Sequence, residues 1–155
     1  GIESTVQGLI KNVSGVVDIK LAFSYVYTHA RNHDNSYVTM GDDVEGTPVH
    51  QYTAQVICDF ITKTRLTFWG TMLRNQVVYT MSSLPPQATN QTFTRDYYTT
   101  TRLHDPIMLN IKLQQEFMGH FNVYVMCKNI LDDYNADPFN PGPGRMFYFG
   151  GGARL

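Results

Sequence analysis

From Val17 to Thr28 the chain alternates without a break. Val17, Ile19, Leu21, Phe23, Tyr25 and Tyr27 share one parity; Asp18, Lys20, Ala22, Ser24, Val26 and Thr28 share the other. A period of two belongs to an extended chain, whose successive side chains point to opposite faces. One face of this strand is therefore apolar and the other mostly polar. The run exceeds the mean strand of a soluble protein, about 5 to 6 residues. It suits a tilted strand that crosses a bilayer in about 9 to 11 residues and extends beyond it.

The alternation recurs down the chain. Ile2, Val6 and Ile10 oppose Glu3, Thr5 and Gln7, and Tyr52, Ala54, Val56, Cys58 and Phe60 oppose Gln51, Thr53, Gln55 and Asp59. Further on, Ile107, Leu109, Ile111 and Leu113 oppose Asn110, Lys112 and Gln114, while Phe121, Val123 and Val125 oppose Asn122, Tyr124 and Lys128. Leu66 to Arg74 is less regular: Leu66, Phe68 and Met72 form an apolar row, but Trp69 and Leu73 fall on the other parity. The last segment sets Phe147, Phe149, Ala153 and Leu155 against Tyr148 and Arg154. The pattern predicts an all-β chain whose antiparallel sheet has about seven strands.

The expected connections alternate in length. Lys11 to Gly15, Thr62 to Arg65 and Phe117 to His120 read as tight turns. Ala30 to Val49, Asn75 to His104 and Asp132 to Gly144 read as long polar loops rich in Gly, Pro, Asn and Asp. Short turns on one side and long loops on the other are the habit of outer-membrane barrels, with the long ones outside. A compact soluble domain has little use for long structureless loops.

Composition agrees. Charged residues are 16% of the 155, and Tyr and Thr, which favour a pleated surface, are frequent. With 12 Lys and Arg against 13 Asp and Glu there is no basic footprint for nucleic acid. No apolar run reaches the 18 or so residues of a transmembrane helix, which leaves shorter membrane-crossing strands open. No leader precedes Gly1, so an exported protein is expected here in mature or truncated form. Cys58 and Cys127 lack the spacing of a disulfide framework or zinc site and read as small hydrophobes.

Seven antiparallel strands leave the first and last running the same way. A closed antiparallel barrel needs an even count, so the expectation is a segment of a larger barrel.

Several short stretches now add up to a family likeness. Gly1-Ile2-Glu3 looks like a Gly-x-Glu strand opening, and Gly46-Thr47-Pro48-Val49-His50 is similar to a Gly-x-Pro-x-His loop end. Asn129-Ile130-Leu131-Asp132-Asp133-Tyr134 looks like Asn-Leu-Phe-Asp-x-x-Tyr, and Pro143-Gly144-Arg145 resembles the Pro-Gly-Arg that starts a last strand. In this order they resemble the C-terminal barrel portion of a TonB-dependent outer-membrane receptor, over nearly the whole chain. Departures are Ile130-Leu131 for Leu-Phe and a terminal Leu155 where an aromatic is usual. The resemblance implies a barrel of roughly 22 strands around a separate plug domain, absent from this chain. It also implies residence in the bacterial outer membrane and uptake of a scarce nutrient, most often a ferric siderophore. The implied partners are outer-membrane lipid, the remaining strands and plug, the TonB energy-coupling complex, the barrel-insertion machinery and a small-molecule ligand. No enzyme activity, cofactor or nucleic acid is implied.

Four residue sets follow. Extracellular loops offer Asn35, Tyr37, Met40, Tyr79, Met81, Arg95, Tyr97, Tyr98, Arg102 and His104 for ligand capture by stacking and charge-assisted hydrogen bonds; loop self-packing is the plainer use of any one of them. The inner parity offers Glu3, Gln7, Asp18, Lys20, Gln51, Gln55, Asp59, Asn110 and Lys112 as a plug-facing lumen. Tyr148, Gly150, Ala153 and Leu155 form the candidate insertion signal on the terminal strand. Tyr25, Tyr27, Tyr52, Phe68, Phe147 and Phe149 are expected near strand ends on the outer face as an aromatic girdle, open to solvent when only protein is considered.

Other chemistry is weakly signalled. His29 and His33, four apart at a strand-to-loop junction, lack a fixed third ligand, so no metal site is assigned. Ser36, Ser82 and Ser83 stand in loops without the base and orienting group that nucleophilic catalysis needs. Two rival architectures make opposite predictions. A self-contained small barrel, lipocalin-like or a short outer-membrane protein, requires Gly1 to Ile10 to pair with Arg145 to Leu155. A soluble sandwich requires Val17, Leu21, Ile107 and Ile111 to be covered by protein.

Overall fold

The structure, a computed structural model, describes residues 1–31, 33, 43–81, 98–103, 105–133 and 144–153, with side chains at 80, 81 and 98–100 left aside. Its strands are β1 (Ile2–Val13), β2 (Val17–Tyr27), β3 (His50–Phe60), β4 (Thr64–Arg74), β5 (Val77–Met81), β6 (Tyr98–Arg102), β7 (Ile107–Phe117), β8 (Phe121–Lys128) and β9 (Met146–Ala153). Seven of them form one sheet in the order β1-β2-β3-β4-β7-β8-β9, and β5 and β6 form a separate ribbon. Every neighbouring pair is antiparallel. No helix occurs among the described residues, and none is long and apolar enough to cross a membrane.

The seven-stranded sheet is the one the alternation anticipates. It is open: β1 and β9 are its two edges, run in the same direction and are not paired with each other. The β5–β6 ribbon departs from the sequence expectation, a loop over 75–104. The seven-strand count thus holds for the main sheet, and the described residues carry two more strands.

Register turns parity into faces. Ile10, Ile19, Cys58, Leu66, Leu113, Val125 and Phe149 lie side by side in one continuous row across all seven strands. The next row on that face runs through Gly8, Leu21, Val56, Phe68, Ile111, Cys127 and Phe147. A one-residue slip at any step would send that strand's apolar set to the other face. None occurs along these rows.

Nothing among the described residues covers this face. Phe149 is 87% exposed, Phe147 75% and Val6 66%, and Leu21, Phe23, Leu109 and Leu113 are exposed as well. The residues a sandwich would bury are not buried: Leu21 and Ile107 are exposed, Val17 and Ile111 half-exposed. Full burial of a side chain of this size is worth about 1.5 to 3 kcal/mol. A handful of them left in water would offset the 5 to 15 kcal/mol that holds an ordinary domain together. Meanwhile the described buried residues are Gln76, Val77, Val78, Pro106 and Asn129, all at the loop end of the sheet. A sheet built this way needs an apolar medium or partner against its apolar face.

The two ends differ as expected. At one end, β7 turns into β8 through Met118 (φ 54) and Gly119 (φ 72), closed by the His120 N–H donating to the Phe117 carbonyl at 3.2 Å. Two successive positive φ values are what a type I′ turn requires. Lys63 (φ 64) closes the β3–β4 turn on the Phe60 carbonyl at 3.0 Å. Between β1 and β2 the ladder slips after Ile10, and Asn12, Ser14 and Gly15 take positive φ. The other end carries the long connections, where β2, β4 and β8 finish.

Candidate functional site

The long connections are tied to one another. The β5–β6 ribbon packs on the end of the β2–β3 connection: the Gly46 N–H donates to the Val77 carbonyl at 3.0 Å and Gln76 Nε2 to the Gly46 carbonyl at 2.9 Å. Tyr79 donates its hydroxyl to the Asp43 carbonyl at 2.8 Å. A bridge between Arg31 and Asp43 closes the base of that connection. Gln76, Val77 and Val78 are consecutive and all buried. Burial of consecutive residues leaves no period of two at the start of β5, so the sequence carries no strand signal there.

Where the ribbon leaves the sheet, Asp105 acts as a staple. One carboxylate oxygen accepts from the Asn75 N–H at 3.0 Å and the other from Arg74 Nε at 3.1 Å. Asn75 is left-handed (φ 57), a conformation Asn tolerates better than most.

A second clasp sits where β8 ends, on the stretch Asn129 to Asp133. Asn129 is left-handed (φ 52), 4% exposed, and donates its N–H to Asn110 Oδ1 at 3.0 Å. Next to it, the Ile130 N–H donates to the Leu109 carbonyl at 2.8 Å. Asp132 Oδ1 accepts from the Arg145 N–H at 2.7 Å, and Asp133 Oδ2 from the Ile107 N–H at 2.9 Å. Four residues thereby fasten the start of β7, the end of β8 and the start of β9. Of the remaining likenesses, Tyr134 and Pro143 lie outside the described residues.

On the polar face, all nine residues expected in the lumen share one side by register. Glu3 stands opposite Val26, Gln7 opposite Ala22, Gln51 opposite Leu73, Gln55 opposite Trp69, and Asn110 opposite Trp69 from the other flank. Asp18 and Asp59 are direct cross-strand partners, a pairing that repels unless each carboxylate is engaged. Both are. Asp18 accepts the Asn12 N–H at 2.7 Å, holding the irregular β1–β2 turn. Asp59 joins Lys20 at 2.9 Å and Arg65 from β4. Lys112 Nζ lies 4.5 Å from the ring centroid of Tyr124, and that ring covers Gly150 on β9. Arg65, Trp69 and Tyr124 stand outside the expected set; parity puts them on this face, and register shows what each one meets.

The apolar face carries an aromatic cluster at its loop end. Tyr25 and Tyr52 are cross-strand partners with centroids 5.1 Å apart, and Tyr27 and His50 are partners at 5.5 Å. The Tyr25 hydroxyl and His50 Nδ1 are hydrogen-bonded at 2.8 Å. These rings shield one another, so Tyr25, Tyr27 and Tyr52 are only half-exposed, a correction to the expected openness. Phe68 and Phe149 also differ: they are exposed but stand within β4 and β9, not at a strand end.

Of the expected loop ligands, Tyr79 is engaged in holding the ribbon and Arg102 is exposed opposite Val77. Met81 and Tyr98 are cross-strand partners at the far end of the ribbon, with only their backbone described. Asn35, Tyr37, Met40, Arg95, Tyr97 and His104 lie outside the described residues, as do Ser36, Ser82 and Ser83. In the terminal strand, Tyr148 stands opposite Met126, Gly150 opposite Tyr124 and Ala153 opposite Phe121, while Leu155 lies outside the description. His29 and His33 are exposed, and the described residues contain no group of three side chains suited to a metal ion. Comparison with protein-family models, curated protein sequences and solved structures returns no match.

Proposed function

We propose that this sheet is the C-terminal part of an outer-membrane barrel that serves TonB-dependent uptake of a scarce nutrient, with a ferric siderophore as the first candidate. One observation carries the reading: an apolar face continuous over seven antiparallel strands, uncovered by any of the described residues, on a sheet whose parallel edges are not paired with each other. Strands of 11 residues, as in β2, β3, β4 and β7, extend about 36 Å. Tilted by about 45°, such strands match an apolar band about 25 Å tall. The polar face, where Lys20 and Arg65 pair with Asp59 and Lys112 stacks on Tyr124, fits the wet or plugged interior, and the loop body fits the external mouth. Further strands would close the barrel from β9 round to β1. The small self-contained barrel finds no support, because it needs β1 and β9 to pair.

The test uses the full-length protein that carries this chain. It is expected in the outer-membrane fraction, resistant to carbonate extraction, and required for uptake of radiolabelled iron from at least one member of a siderophore panel under iron limitation. A soluble protein would refute the location. Normal uptake of every ferric siderophore in a deletion strain would redirect the cargo assignment to another scarce nutrient.

A further inference from the structure

We propose that the outer face holds one phosphate-bearing lipid at a built site on β3 and β4, on the loop side of the membrane; this rests on the membrane reading above. The face is not uniformly filled. Ala54 and Gly70 are direct cross-strand partners, the smallest pair on it. Around them opens a trough of about 470 Å³, walled by Tyr52, Phe68, Met72 and Leu109. That volume lies in the range of ligand sites. Leu109 leans across the glycine, since a Cβ on Gly70 would be 2.6 Å from Leu109 Cδ2. Its walls are apolar, which suits a hydrocarbon chain.

Position along the strands names the other end of the occupant. Moving toward the loops, the next pair on this face is Tyr52 with Met72, and the next is His50 with Arg74. Four residues of extended chain, about 13 Å, separate Ala54 and Gly70 from that last pair, with the trough reaching over Tyr52 and Met72 toward it. An acyl chain in the trough thus brings its head group to a guanidinium and an imidazole. Arg74 is half-exposed and tethered through Nε to Asp105, which fixes its fork at the rim. Asp105 also takes the Asn75 N–H, so both of its oxygens are engaged. His50 is oriented by Tyr25 through Nδ1. A planar guanidinium held in place recognises phosphate well. A neutral chain would use the trough and ignore the rim.

The full-length protein is to be reconstituted in phosphatidylcholine vesicles containing a minor fraction of phosphatidylglycerol, extracted gently and weighed by native mass spectrometry. Wild type is expected to keep one lipid, favouring phosphatidylglycerol over its share by about tenfold. Ala54→Leu should lose the lipid of either kind, whereas Arg74→Gln should keep a lipid and lose the preference. Should Ala54→Leu fail to fold, Phe68→Trp in a Trp69→Phe background replaces it, and its fluorescence should be quenched more by brominated phosphatidylglycerol than by brominated phosphatidylcholine. No retained lipid, retention unchanged in Ala54→Leu, or equal quenching by both lipids overturns the site. Flotation with vesicles separates the failures: a protein that does not float contradicts the membrane reading, and one that floats without selectivity contradicts only this site.

Discussion

The ring of Tyr124 lies across Gly150, its cross-strand partner: a Cβ on Gly150 would fall 2.8 Å from the ring's Cε1, Cζ and Oη. In an open strand, replacing glycine by alanine removes unfolded-state entropy and tends to stabilise. Here the ring reverses the sign. Gly150→Ala is expected to cost about 1 to 3 kcal/mol, the range for overpacking, in urea unfolding of the reconstituted protein. Gly150→Ala added to Tyr124→Ala should cost much less than it does alone, because contacting residues are not additive. Equal costs in both backgrounds would disprove the contact.

The clasp after β8 separates two effects of a single residue. Asp132 combines a left-handed backbone (φ 57) with a carboxylate on the Arg145 N–H at 2.7 Å. Asp132→Gly keeps the backbone easy and removes only the acceptor. It should cost about 1 to 2 kcal/mol and speed amide exchange at Arg145 by about tenfold, while exchange in β2 and β3 stays as in wild type. Unchanged exchange at Arg145 would show that the carboxylate does not hold the start of β9.

These two relationships mark how far the residues speak for themselves. Alternation made β2 legible from Val17 to Tyr27, and the apolar row of β7 from Ile107 to Leu113, because each strand has one apolar and one mostly polar side. Parity also assigned Trp69 to the polar side, where register sets it between Gln55 and Asn110. It could not tell that Tyr124 meets Gly150, since that depends on how two strands slide. Nor could it tell that Asp18, expected to face a plug, is engaged by the Asn12 N–H of its own turn. The β5–β6 ribbon stayed hidden for a different reason: Gln76, Val77 and Val78 are all buried, so burial there has no period.

On the polar face, Asp59 is shared by Lys20 and Arg65, whose side chains are 49% and 51% exposed. Solvent screens such pairs, so a double-mutant cycle between Lys20→Met and Asp59→Asn should give a coupling of about 1 kcal/mol or less. Raising the salt should shrink it further. A coupling of several kcal/mol would mean that this face is dry and closed off, contrary to a lumen open to water or lined by a polar plug.

The most direct test of the two-faced sheet reads the phase on each side of it. In a background of Cys58→Ser and Cys127→Ser, single cysteines at Leu21, Val56, Phe68 and Ile111, and at Ala22, Gln55, Thr67 and Lys112, would be spin-labelled in the reconstituted full-length protein. The first four share one row of the apolar face; the second four come from the same strands on the polar face. Collision with oxygen should exceed collision with a water-soluble nickel complex at the first four, as in hydrocarbon, and this ordering should not hold at the second four. Nickel access that is equal on both faces, or greater at Leu21, Val56, Phe68 and Ile111, would contradict the account.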